Sequence, residues 1–121
     1  MSKVFSENVP IYLQIIEMLK ISIITGEYKS SDRLPPVREL ALKYGVNPNT
    51  VQRAYSELER EGIVQSERTS GRYINIDSEK IKELKKGISD EYISELFERL
   101  RQIGLSDKEI KKLVNDWEVN K

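Results

Sequence analysis

Cysteine and histidine are both missing from the 121 residues. Without cysteine there is no disulfide and no thiolate nucleophile. Without histidine there is no imidazole base, and nearly all zinc or iron ligand sets are lost. Carboxylates remain, but acid/base chemistry by Asp and Glu alone needs a shaped cleft, for which a small helical chain has little material. An enzyme is therefore not expected, nor is any cofactor or metal. Long apolar runs are also missing, so no membrane-spanning helix is expected. The opening "MSKVFSENVP" has no basic segment leading into an apolar one, which argues against a signal peptide and makes the cytoplasm the default location. Finally, no sign of charge is in excess: Lys+Arg and Asp+Glu number 20 each. The balance holds along the chain, with 10 basic and 9 acidic residues in 1–76 and 10 and 11 in 77–121. Composition thus announces no polyanionic partner, and any electrostatic footprint must come from local arrangement.

What is present is helical periodicity. Residues 8–25 read as a first helix, with Asn8 or Val9 at its cap, Pro10 in its first turn and Gly26 after its end. Ile11, Ile15, Leu19 and Ile23 form its stripe, widened by Tyr12, Ile16 and Ile24. "EYKSSDRLPP" reads as a polar loop. Pro36 suits the start of a second helix with Val37, Leu40, Ala41 and Tyr44 inward, stopped by Gly45. Asn47 and Pro48 start a third, with Val51, Ala54, Tyr55 and Leu58 inward and Gly62 after it. "IVQSE" and "RYINI" then read as two strands around "RTSG". Beyond Asp77 the pattern is helical again, with Gly87 and Ser89-Asp90 as candidate breaks. Ser106 and Glu109 have the spacing of a capping box for the last helix.

Residues 33–64 hold the informative constellation. Helix, glycine turn and helix have helix-turn-helix spacing: Ala41 is small at the crossing, Gly45 sits in the turn, and Val51 plugs the second helix into the first. The outward residues at the start of the third helix are Asn47, Asn49, Thr50, Gln52 and Arg53, with Ser56 one turn on. Asn and Gln can pair with adenine, Thr with phosphate or a thymine methyl, and a recognition helix offers its N-terminal residues to base edges. The same residues also serve as a plain helix cap that needs no ligand. Arg33 and Arg38 lie at the start of the second helix, and Arg68 and Arg72 flank the hairpin turn, so basic residues frame the polar helix start.

"RLPPVRELALKYGVNPNTVQRAYSELEREGIVQSERTSGRYI", with "PIYLQI" before it, resembles the winged-helix domain of GntR-family transcription regulators. "VNPNTVQRAYSELEREG" is most similar to the family's small YtrA-like branch. The resemblance spans residues 9–76. It implies that Arg38 contacts phosphate or a base. It also implies that Asn47, Asn49, Thr50, Gln52 and Arg53 lie at the groove, and that Thr69, Ser70, Gly71 and Arg72 form a wing tip near the minor groove. Many members carry Arg in place of Pro48 and of Gln52, so base readout here shifts toward Asn and Gln. The wing is usually Gly-Thr-Phe-Val; with "GRYI", Arg72 is expected to add a phosphate contact while Tyr73 and Ile74 keep the packing role.

The expected fold class is mostly α with a small β hairpin. A winged helix-turn-helix domain over 1–76 is followed by C-terminal helices over 77–121 that form a dimerisation appendage. Those 45 residues are too few to bury a pocket alone. Their apolar residues Tyr92, Leu96, Phe97, Leu100, Ile103, Leu113 and Trp117 need another surface, and a second copy of the chain is the expected one. A small effector cleft walled by Tyr92, Phe97 and Trp117 is a weaker reading than plain packing. The expected function is a homodimeric repressor on double-stranded DNA with a two-fold symmetric operator. The alternative is a winged-helix module that joins proteins and reads no DNA sequence.

Overall fold

The computed structural model describes residues 5–69 and 71–118. In chain order it contains α1 (Ile11–Ile24), α2 (Val37–Tyr44), α3 (Pro48–Arg60), β1 (Val64–Glu67), β2 (Gly71–Ile74), α4 (Ser78–Gln102) and α5 (Asp107–Asp116). The arrangement is the expected one, helices with one antiparallel hairpin and helices after it, and the corrections are local.

Helix α1 begins later than the pattern suggested. Pro10 is the N-cap residue, and its carbonyl accepts from the Leu13 and Gln14 N–H groups. The N-terminal arm folds back onto α1 through the Gln14 amide, which accepts from Ser6 N–H at 2.9 Å and donates to Val9 O at 2.7 Å. Ile15, Ile16, Leu19 and Ile23 are buried, but Ile11 is exposed. A row of residues spaced four apart rotates by about 40° per step, so its first member has left the core-facing side by the time its last is centred.

The loop before α2 is more ordered than its polarity suggested. Arg33 bridges Tyr73 in antiparallel fashion, Ile74 N–H donates to Asp32 O at 2.8 Å, and Leu34 N–H to Arg72 O at 2.9 Å. Residues 31–34 thus cover the outer edge of β2, whose other edge pairs with β1 in the register Val64↔Ile74 to Glu67↔Gly71. A two-stranded hairpin is marginal alone; here it gains backbone partners on one side and buried Ile63, Val64, Ile74 and Ile76 beneath. The core also takes Leu40, Ala41, Val51, Ala54, Tyr55 and Leu58 from the two helices between.

Helix α4 runs unbroken through Gly87 and Ser89-Asp90. Glycine inside a helix costs only about 1 kcal/mol. Around it, Ser89 Oγ donates to Lys85 O at 2.7 Å and Lys86 Nζ meets Asp90 Oδ2 at 2.8 Å. The capping box forms: Glu109 N–H donates to Ser106 Oγ at 3.1 Å, and Ser106 N–H donates to Glu109 Oε1 at 2.8 Å. The chain divides into two compact units, 1–84 and 85–121. The seam falls inside α4, past residue 76, because Ile81 and Leu84 pack on the core of the first unit.

Candidate nucleic-acid interface

The α2–α3 pair is fixed by one left-handed residue. Gly45 has φ 66°, and Val46 N–H then reaches back to Ala41 O at 3.0 Å. Nothing lies within 4 Å of where a Gly45 Cβ would stand, so conformation rather than space demands glycine there. Ala41 and Val51 are both buried at the crossing. Tyr55 closes the arrangement by donating its hydroxyl to Pro35 O at 2.7 Å, which holds the entry to α2 against α3. Burial pushes the Tyr55 hydroxyl pKa well above its ordinary 10.0, so it stays a donor at every physiological pH.

The start of α3 is capped as expected: Asn47 Oδ1 accepts from Asn49 N–H at 2.7 Å. This uses the Asn47 side chain and leaves Asn49 and Gln52 exposed on the outer face, with Thr50 half-buried at the flank. Gln52 Nε2 leans toward Ser56 Oγ, 3.4 Å away. Arg53, one turn beyond Asn49, lies over the Tyr12 ring of α1 at 3.8 Å, and its Nη2 donates to the Tyr12 hydroxyl at 3.2 Å. Arg38 is exposed on the first turn of α2, and Arg68 and Thr69 are exposed in the turn between β1 and β2. Ser70 lies outside the described residues. Gly71 carries φ 78° opposite Glu67.

Two arginines of the expected frame are placed differently from the rest. Arg33 lies in the bridge to Tyr73, at the base of the hairpin and away from its tip. Arg72 is half-buried: its Nε lies 3.5 Å from Glu59 Oε1 and its guanidinium 5.3 Å from the Tyr55 ring centre. Ser66 Oγ also donates to Glu59 Oε1, at 2.9 Å. Glu59 therefore ties the hairpin to α3. The sequence signal for this was faint, because the partners are far apart along the chain and Glu59 reads as one more charge on a solvated face.

Comparison with known proteins decides the family. Residues 11–74 match the model of bacterial regulatory proteins, gntR family. The chain belongs to the GntR family. It is similar to an uncharacterised HTH-type transcriptional regulator, YhcF of Bacillus subtilis: 38% identical, over 91% of this chain and 91% of that one. It is also 52% identical, over 56% of this chain and 52% of that one, to the HTH-type transcriptional repressor YtrA of the same organism. Among solved structures, a GntR family regulator from Listeria monocytogenes superposes with TM-score 0.80 at 36% identity, covering 94% of this chain and 100% of that one. The DNA-binding domain of AraR, solved with operator ORX1, superposes with TM-score 0.53 at 25% identity over 61% of this chain and 90% of that one. As a GntR member the chain is a winged-helix, DNA-binding transcription regulator, not an enzyme. No described helix is long and apolar enough to cross a membrane.

The second unit of this GntR regulator is poorly covered. Among its described residues only Ile110 is a fully buried apolar side chain, whereas Tyr92, Ile93, Leu96, Leu113 and Val114 are 41–54% exposed and Ile103 and Trp117 more so. Phe97 and Leu100 are half-buried, with the Arg101 guanidinium 5.6 Å from the Phe97 ring centre. Ile93 and Val114 extend the expected apolar set.

Proposed function

We propose that this GntR protein is a homodimeric repressor that binds a two-fold symmetric operator. Helix α3 enters the major groove, and the turn at 68–71 approaches the minor groove. The observation that carries this is the polar N-terminal face of α3: Asn49 and Gln52 stand exposed on a capped helix start, and Arg38 on α2 and Arg68 in the hairpin turn are exposed as well. Asn and Gln donate and accept at an adenine edge, and the arginines supply phosphate contacts that carry no sequence information. Arg72, paired with Glu59, holds the hairpin in place instead of adding a phosphate contact. The YtrA relative is a transcriptional repressor. The cytoplasm, where bacterial DNA lies, is the proposed location.

Dimerisation is supported by the second unit. It is shorter than the roughly 40 residues below which a chain usually needs a staple or partner, and its exposed apolar side chains would be covered by a second copy. Tyr92, Phe97 and Trp117 belong to that packing in this reading. A footprint of the promoter upstream of the protein's own coding sequence tests the whole reading. Two protected half-sites, centred about 10 base pairs or a multiple apart, are expected. No protected stretch at any protein concentration would favour a module that only joins proteins.

A further inference from the structure

Arg53 and Arg72 both lie against aromatic rings, but their hydrogen-bond partners differ in charge. Arg72 has a carboxylate partner in Glu59. Glu57, one turn after Arg53, accepts its hydrogen bonds from Arg60 and meets Arg53 only through a weaker charge–charge attraction. The partner of Arg53 is instead the neutral Tyr12, by ring face and by hydroxyl. A neutral partner fixes the side chain without cancelling its charge, and one hydrogen bond leaves most of the five guanidinium donors available.

We infer that Tyr12 is a positioning residue for DNA binding: it holds Arg53 beside the Asn49 row of α3, aimed at a backbone phosphate at the α1 edge of the groove. This rests on the DNA-binding reading above. Arg53 occupies the exposed face of α3, one turn from Asn49, while its guanidinium lies over Tyr12 of α1. A group on that flank meets the sugar–phosphate wall of the groove, and the charge it retains suits a phosphate.

The test is a double-mutant cycle on the full chain, with Tyr12→Leu, Arg53→Gln and the pair. Binding to the duplex from the protein's own promoter is measured over a series of salt concentrations, with a scrambled duplex alongside. Arg53→Gln should lower the slope of log affinity against log salt by about 0.9 for each half-site. Tyr12→Leu should lower affinity about two- to fivefold for each half-site, the worth of an exposed cation–π contact, and have no further effect once Arg53 is Gln. Tyr12→Phe keeps the ring and should restore most of the binding. Thermal unfolding of each variant keeps loss of fold apart from loss of positioning. Independent, multiplying effects of the two substitutions, or a Tyr12→Leu protein that is less stable but binds with unchanged affinity and slope, would overturn the inference alone. If the native protein itself shows no salt-dependent binding to either duplex, the DNA-binding reading fails and takes the inference with it.

Discussion

Gly45 shows how a single dihedral angle sets the interface. Its φ of 66° turns α2 into α3 with open space where a side chain would go. Gly45→Ala should therefore cost about 1–2 kcal/mol from the left-handed strain alone, read as a lowered urea midpoint with an unchanged m-value. Asn47 was equally legible in the sequence, since an Asn-Pro start allows few other roles, and it caps α3 as its position required. Arg72 was not legible. Its role comes from Glu59 and Tyr55, and side-chain pairs between a helix and a hairpin leave no periodic trace. The division of labour on the surface is also testable. Arg38→Ala should weaken every duplex about equally, whereas Gln52→Ala should flatten discrimination at one base pair by about 1–3 kcal/mol. A competition assay over a panel of single-base operator variants reads both.

Helices α4 and α5 show where pattern reading overreached and where it held. Gly87 and Ser89-Asp90 have breaker chemistry, but a helix breaks only where the alternative is better. Here the Ser89 hydroxyl and the Lys86–Asp90 pair brace the turn. Gly87 is exposed, helical and uncrowded, so Gly87→Ala should stabilise α4 by about 0.5–1 kcal/mol; urea unfolding of the full chain checks it. The capping box of α5 was visible from residue spacing alone because it is a local motif. It also carries a pH dependence. The Ser106 backbone N–H, with its side chain second, holds the Glu109 carboxyl below its ordinary 4.5, and the Arg101 hydrogen bond holds Asp107 below 3.8. Both groups release protons more readily when folded, so their contribution is complete above the unfolded values and fades as pH falls through the folded ones. Helicity should hold from pH 7 to about 5 and decline below about 4, and Glu109→Gln should make that decline shallower. Circular dichroism against pH decides it.

The molecule couples a well-filled first unit to a second unit whose apolar side chains are mostly uncovered. The core of the first unit was readable because helical stripes and a glycine turn dictate it. The backbone pairing of residues 31–34 with β2 was not, since the partner lies far along the chain and these residues look like a loop. The uncovered face makes its own prediction. Leu96→Glu places a charge among exposed apolar neighbours and should leave the proposed dimer as single chains of 14.1 kDa by light scattering. Operator affinity should fall with it, because each half-site would then be bound alone. The central reading, that the capped polar start of α3 recognises a DNA sequence, is most directly tested by one titration. The native protein is titrated with its own promoter duplex and with a scrambled duplex of equal length, at one fixed salt concentration. The promoter should bind at least about a thousandfold more tightly. Equal affinity for the two would contradict it.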